Sequence, residues 1–107
     1  MMFLKFKKTI IVDYIDLETE IREKYGLTHD ELSIIYLYGE MCENGGFRNV
    51  GIDNDSMRWL NDELAWAIEH EASGFYNVEE LRKKVLVQEY LHDLFPDESN
   101  VLIEFNW

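Results

Sequence analysis

The last seven residues, Val101-Leu102-Ile103-Glu104-Phe105-Asn106-Trp107, constrain the fold most. In an extended chain they put Val101, Ile103, Phe105 and Trp107 on one face and Leu102, Glu104 and Asn106 on the other, which predicts a strand. At the other end, Leu4, Phe6, Ile10, Val12 and Tyr14 alternate with Lys5, Lys7, Thr9 and Asp13, and only Lys8 breaks the apolar row. A strand with one apolar row is not stable alone. The two end strands therefore pair with each other or with the segment near Val50, and the sequence between them must pack on the resulting sheet. The expectation is a single α+β domain over residues 1–107, ordered β-α-α-(β)-α-α-β, with a two- to three-stranded sheet and about four helices. A chain of 107 residues, 47% of them hydrophobic, is large enough to close one core without metal or disulfide and too short for two domains.

The helices are marked by period and by caps. Asp16 is placed to cap a helix carrying Leu17, Ile21 and Tyr25 on one face, which ends at Gly26. Thr28-His29-Asp30-Glu31 reads as a capping box, with Leu27 and Leu32 as its hydrophobic staple. It predicts a helix from His29 to about Cys42, apolar nearly all round, with Gly39 allowing a close approach. Glu43-Asn44-Gly45-Gly46 is a turn, and Phe47 to Ile52 is a weaker strand interrupted by Gly51. Asn77-Val78-Glu79-Glu80 opens a further helix in the same capping pattern. Its Val78, Leu81 and Val85 lie on one face and its Leu86, Val87, Tyr90, Leu91 and Leu94 on another, so it is sandwiched, and Pro96 closes it.

The stretch Asp53–Gly74 holds two of the three tryptophans. Met57, Leu60, Leu64, Ile68 and Ala72, with Ala67 beside them, recur every three and four residues and form the stripe that faces the core. At roughly 100° per residue, Trp59 and Trp66 fall about opposite that stripe, seven residues apart. A row of Asp55, Asp62 and Glu69 runs beside them at the same interval, and Glu63 and His70 flank the other side. Two arrangements satisfy this pattern. Either the last helix covers the tryptophans, the arrangement favoured by that helix's two apolar faces, or they form an acid-rimmed aromatic surface for a partner. The acids are exposed in both, because unpaired carboxylates are rarely buried.

Charge narrows the partners. The formal net charge is −12, and from Thr9 onward seven basic residues face 22 acidic ones, a balance of −15. Such a body repels nucleic acid and anionic membrane and attracts basic protein surfaces. No segment approaches the roughly 20 apolar residues of a membrane span, and the lysine-broken N-terminal run lacks the features of a signal peptide. The lone Cys42, between Glu40 and Glu43, fits a reducing setting and not a nucleophile. A cytoplasmic location is the expectation.

Catalytic and metal patterns are weak. His29, His70 and His92 lie in acid-rich helical contexts with no nucleophile motif beside them. Gly45-Gly46 lacks the glycines and lysine of a phosphate loop. Glu89 and His92 have the E-x-x-H spacing of a carboxylate-bridged metal site, but the second such pair is missing. Asp53-Asn54-Asp55 fails as a calcium loop, since Arg58 and Leu64 stand where Gly and Glu are needed, and it reads instead as a helix cap. No enzyme, cofactor or metal is expected.

What remains is binding. Tryptophan is enriched among interface hot spots, and surrounding acids steer a basic partner. The candidate partner-binding residues are Asp55, Trp59, Asp62, Glu63, Trp66 and Glu69. Seven residues of helix rise about 10.5 Å, close to three phosphate steps of about 3.4 Å along one DNA strand, so an acidic row at this interval can present charge as a nucleic-acid backbone does. In size, acidity and lack of catalytic motifs the chain resembles small inhibitors of DNA- or RNA-handling proteins: phage nucleic-acid mimics, anti-CRISPR and anti-restriction proteins, and immunity proteins of nuclease toxins. That resemblance is compositional and carries no site over. It implies a non-enzymatic inhibitor, monomeric or homodimeric, of a basic nuclease or other nucleic-acid-binding protein. The alternative from another class is an assembly subunit that self-associates through its aromatic surface, and a third is a small metal-dependent enzyme using Glu89 and His92.

Overall fold

The computed structural model describes residues 9–39, 45–70 and 77–106. Among them, three strands and four helices follow in the order β1 (Ile10–Asp13), α1 (Tyr14–Tyr25), α2 (Ile34–Tyr38), β2 (Phe47–Gly51), α3 (Asn54–Glu69), α4 (Val78–Leu94) and β3 (Asn100–Glu104). This is the expected α+β arrangement, with the terminal strands in one sheet. The strand order is β1-β3-β2. β3 lies in the centre because its apolar row has the least interruption, and it pairs parallel to β1 (Ile10 opposite Val101) and antiparallel to β2 (Val50 opposite Val101). Val101, Ile103 and Phe105 are buried, as their alternation requires.

Two hydrophobic clusters share α4. The larger joins Leu17 and Ile21 of α1, Leu32, Ile34, Leu37 and Tyr38 around α2, Val50 and Ile52, the β3 row, and Val87, Tyr90 and Leu91 of α4. The smaller joins Val78, Leu81 and Val85 of α4 to Leu60 and Ala67 of α3, with Leu64 packed against it. The predicted two-faced helix is thus the wall between the clusters, although Leu94, at its end, is exposed. α3 reaches the rest of the molecule chiefly through α4.

Several local expectations are corrected. β1 ends at Asp13, and Tyr14 begins α1 instead of extending the strand. The reason is that Asp13, not Asp16, is the N-cap: its carboxylate accepts the amides of Ile15 and Asp16. α1 does stop at Gly26, which takes the left-handed conformation (φ 66°), but Tyr25 is exposed. The capping box forms, with Thr28 Oγ1 accepting from the Glu31 amide at 3.3 Å and Glu31 Oε1 from the Thr28 amide at 3.1 Å. It caps only one turn. The chain then extends at Ser33 (φ −132°, ψ 108°) and α2 begins at Ile34, whose amide donates to the buried Glu18 carboxylate at 2.6 Å. A tertiary acceptor on α1 therefore takes the amide that a helix running from His29 would have used internally. Tyr36 points outward and is exposed. The parts of the predicted elements at Leu4, Phe6, Met41, Cys42, Glu43, Asn44, Ala72, Gly74 and Trp107 lie outside the described residues.

The corner between β2 and α3 aims α3. At Gly51 an added Cβ would stand 2.5 Å from Ser56 Oγ, so a larger residue there would have to displace Ser56 at the start of α3. The Gln88 side-chain amide donates to the Gly51 carbonyl at 2.8 Å, and His92 Nδ1–H donates to the Ile52 carbonyl at 2.7 Å. The Ile52 amide donates to the Ser99 carbonyl at 2.9 Å. Asp53 then caps α3 as expected, accepting from the Ser56 amide at 2.8 Å. Hydrogen bonds from Ser56 hold the Asp53 carboxyl below its usual range.

Candidate functional site: the outward face of α3

α3 turns its stripe of Leu60, Leu64 and Ala67 toward α4, and that single choice decides the rest of its surface. α4 is covered by these small and aliphatic side chains, so the tryptophans opposite them are left outside. Trp59 is 69% exposed and Trp66 46%. The favoured arrangement, with the last helix over the tryptophans, is therefore overturned: the cover that α4 needs comes from the stripe itself. Ile68, expected in the stripe, is also exposed, because it sits at the stripe's far edge, roughly 80° round the helix from Leu60.

The tryptophans are ordered differently. Trp66 stacks on His70, ring centroids 4.0 Å apart and planes 25° from parallel, and His70 Nδ1–H donates to the Trp66 carbonyl at 2.8 Å. Trp59 stands about two turns earlier, between Asp55 and Glu63. Asp55, Asp62 and Glu69 are all exposed, and Glu63 is half-buried. Arg58 approaches Asp55 at 3.7 Å across one helical turn. Both ends of that pair are largely in solvent, so the attraction is weak. Among the described residues, Asp62, Glu63 and Glu69 make no ion pair. The face therefore carries uncompensated negative charge beside two exposed aromatic rings.

Asp55, Trp59 and Glu63 also border a cleft of about 540 Å³, whose other walls are β2 and α4. Arg48, Lys84 and Gln88 reach that cleft from those walls. Lys84 is engaged with Glu80 at 3.3 Å. Periodicity missed this cleft; the signal available was Arg48 itself, a charge at the inward parity of a strand. At the predicted E-x-x-H pair, Glu89 is exposed and His92 is bonded to the Ile52 carbonyl. Among the described residues, no group of three or more His, Cys, Asp or Glu side chains is placed to hold a metal ion, and no helix is long and apolar enough to cross a membrane.

No family model matches the chain, and no curated protein or solved structure matches it.

Proposed function

We propose that this protein is a non-enzymatic acidic binder that occupies the phosphate-binding groove of a basic nuclease or other nucleic-acid-binding protein and inhibits it. The observation that carries the reading is the outward face of α3: Trp59 and Trp66 exposed beside Asp55, Asp62 and Glu69, with Asp62, Glu63 and Glu69 unpaired among the described residues. A partner groove lined with arginine and lysine would meet the carboxylates, and the rings would supply apolar area at its centre. The formal charge of −12 would hasten encounter with such a surface. The working compartment in this reading is the cytoplasm.

The test is competition. A partner recovered from the native host at low salt is incubated with its own nucleic acid and increasing amounts of this protein. Displacement of the nucleic acid is expected, and simultaneous binding of both would reject the reading. A second reading, self-association, is favoured by the exposed Ile11 and Phe47 on the strands that flank β3. Size-exclusion mass at micromolar concentration separates the two, since an assembly subunit would not remain monomeric.

A further inference from the structure

The cleft between β2, α3 and α4 contains Arg48, which makes no ion pair among the described residues although Asp55 and Glu63 border the same space. Arg48 lies opposite Ile103 in the β2–β3 ladder, on the same side of β2 as the buried Val50, so it points toward the helices. It is half-buried, and its Nε is shielded from solvent with no hydrogen-bond partner. Among the described residues no carboxylate pairs with it, although the chain has 22 acidic residues. A partly buried guanidinium without an anion is costly. On the α4 wall, Gln88 is buried. Its Nε2 is spent on the Gly51 carbonyl, whereas its Oε1 is buried without a partner. On the α3 wall, Trp59 offers an exposed ring. The space, about 540 Å³, falls in the range of small-molecule sites.

We propose that this cleft binds a small organic oxyanion, a carboxylate or phosphate carried on a flat ring, with the anion on Arg48, a ligand donor group toward Gln88 Oε1, and the ring against Trp59. Arginine's planar fork suits both oxyanions. Lys84 adds positive potential from α4 while remaining paired with Glu80, and Glu63 on the opposite rim disfavours ligands with charge at both ends of the ring. The cleft shares Asp55, Trp59 and Glu63 with the outward face of α3, but its anion site on Arg48 and Gln88 does not depend on that face's binding a basic partner.

The experiment is an amide and side-chain NMR titration of the whole chain with two probes, adenosine monophosphate and 4-hydroxybenzoate, at low salt. Saturable shifts are expected at the Trp59 indole N–H, the Gly51 amide and the Gln88 side-chain amide. Response to the nucleotide alone assigns a phosphate ligand, response to the benzoate alone a carboxylate, and response to both the shared oxyanion chemistry. Arg48→Met is expected to weaken binding about 10- to 100-fold, the loss of one hydrogen bond to a charged group. If that variant does not fold, Arg48→Lys, which keeps the charge and loses the fork, is expected to bind more weakly than the wild type. No saturable shift with either probe, or wild-type affinity in the folded Arg48 variant, would overturn the proposal.

Discussion

Replacing Glu18 with alanine removes a buried side-chain hydrogen bond from α1 to the start of α2. Its carboxylate accepts the Ile34 amide at 2.6 Å in a buried position and stands 3.6 Å from Arg22 and 3.4 Å from His29. A hydrogen bond to a charged group contributes about 1.5–3 kcal/mol net. The contacts to the half-buried Arg22 and to the exposed His29, the latter an ion pair only when the imidazole is protonated, add at most about 0.5 kcal/mol apiece. Glu18→Ala is therefore expected to cost about 2–3 kcal/mol, most of it because the Ile34 amide is left buried without an acceptor. Glu18→Gln keeps an oxygen for that amide and loses only the charge, so it should cost about 1 kcal/mol. At about 4 °C per kcal/mol for a chain of this size, the two variants should melt about 8–12 °C and about 4 °C below the wild type. Urea unfolding followed by far-UV circular dichroism gives both free energies. A loss below about 0.5 kcal/mol for the alanine variant, or equal losses for both, would refute the assignment of this carboxylate as the cap of α2.

Other expectations follow from burial. Trp59→Ala should leave stability within about 0.5 kcal/mol, as for other surface sites, and a larger loss in urea unfolding would mean that the ring is packed. Leu91→Ala, fully buried in the larger cluster, should cost about 2–5 kcal/mol of global stability. Leu81→Ala, in the smaller cluster, should instead speed hydrogen exchange of α3 amides while the β3 amides stay protected. Burial raises the Tyr38 phenol above its ordinary 10.0, and burial with the Glu20 hydrogen bond (3.0 Å) raises that of Tyr90. A raised folded-state value means that the unfolded chain loses these protons first. Stability is then whole below pH about 10 and falls as pH rises beyond it; Tyr38→Phe and Tyr90→Phe should each flatten that fall in unfolding curves measured from pH 8 to 11.

The parts of this fold legible in the sequence are those set by periodicity. The alternation of Val101, Ile103 and Phe105 gave the central strand, and the two apolar faces of α4 matched its place between two clusters. Caps were readable as chemistry but not as boundaries. Thr28 and Glu31 bond each other as their spacing implies, yet the helix starts later because Glu18, distant in sequence, supplies a better acceptor for Ile34. Likewise Asp13 ends β1 by capping α1, an outcome that alternation alone cannot distinguish from a longer strand. The face of α3 followed from angular position, whereas the exposure of Trp59 and Trp66 depended on which side of α3 met α4. Of the Arg48 cleft only the inward charge on β2 was legible; the wall that closes it comes from α4, distant in sequence from β2 and α3.

The central claim is that uncompensated negative charge beside Trp59 and Trp66 is what a basic partner recognises. Its most direct test is the dissociation constant for the purified partner, measured across a salt series for the wild type and for Asp62→Lys/Glu69→Lys. Wild-type affinity is expected to fall steeply from low to high salt, and the double variant to bind more weakly at low salt with a shallower dependence. An affinity indifferent to both salt and charge reversal would contradict it.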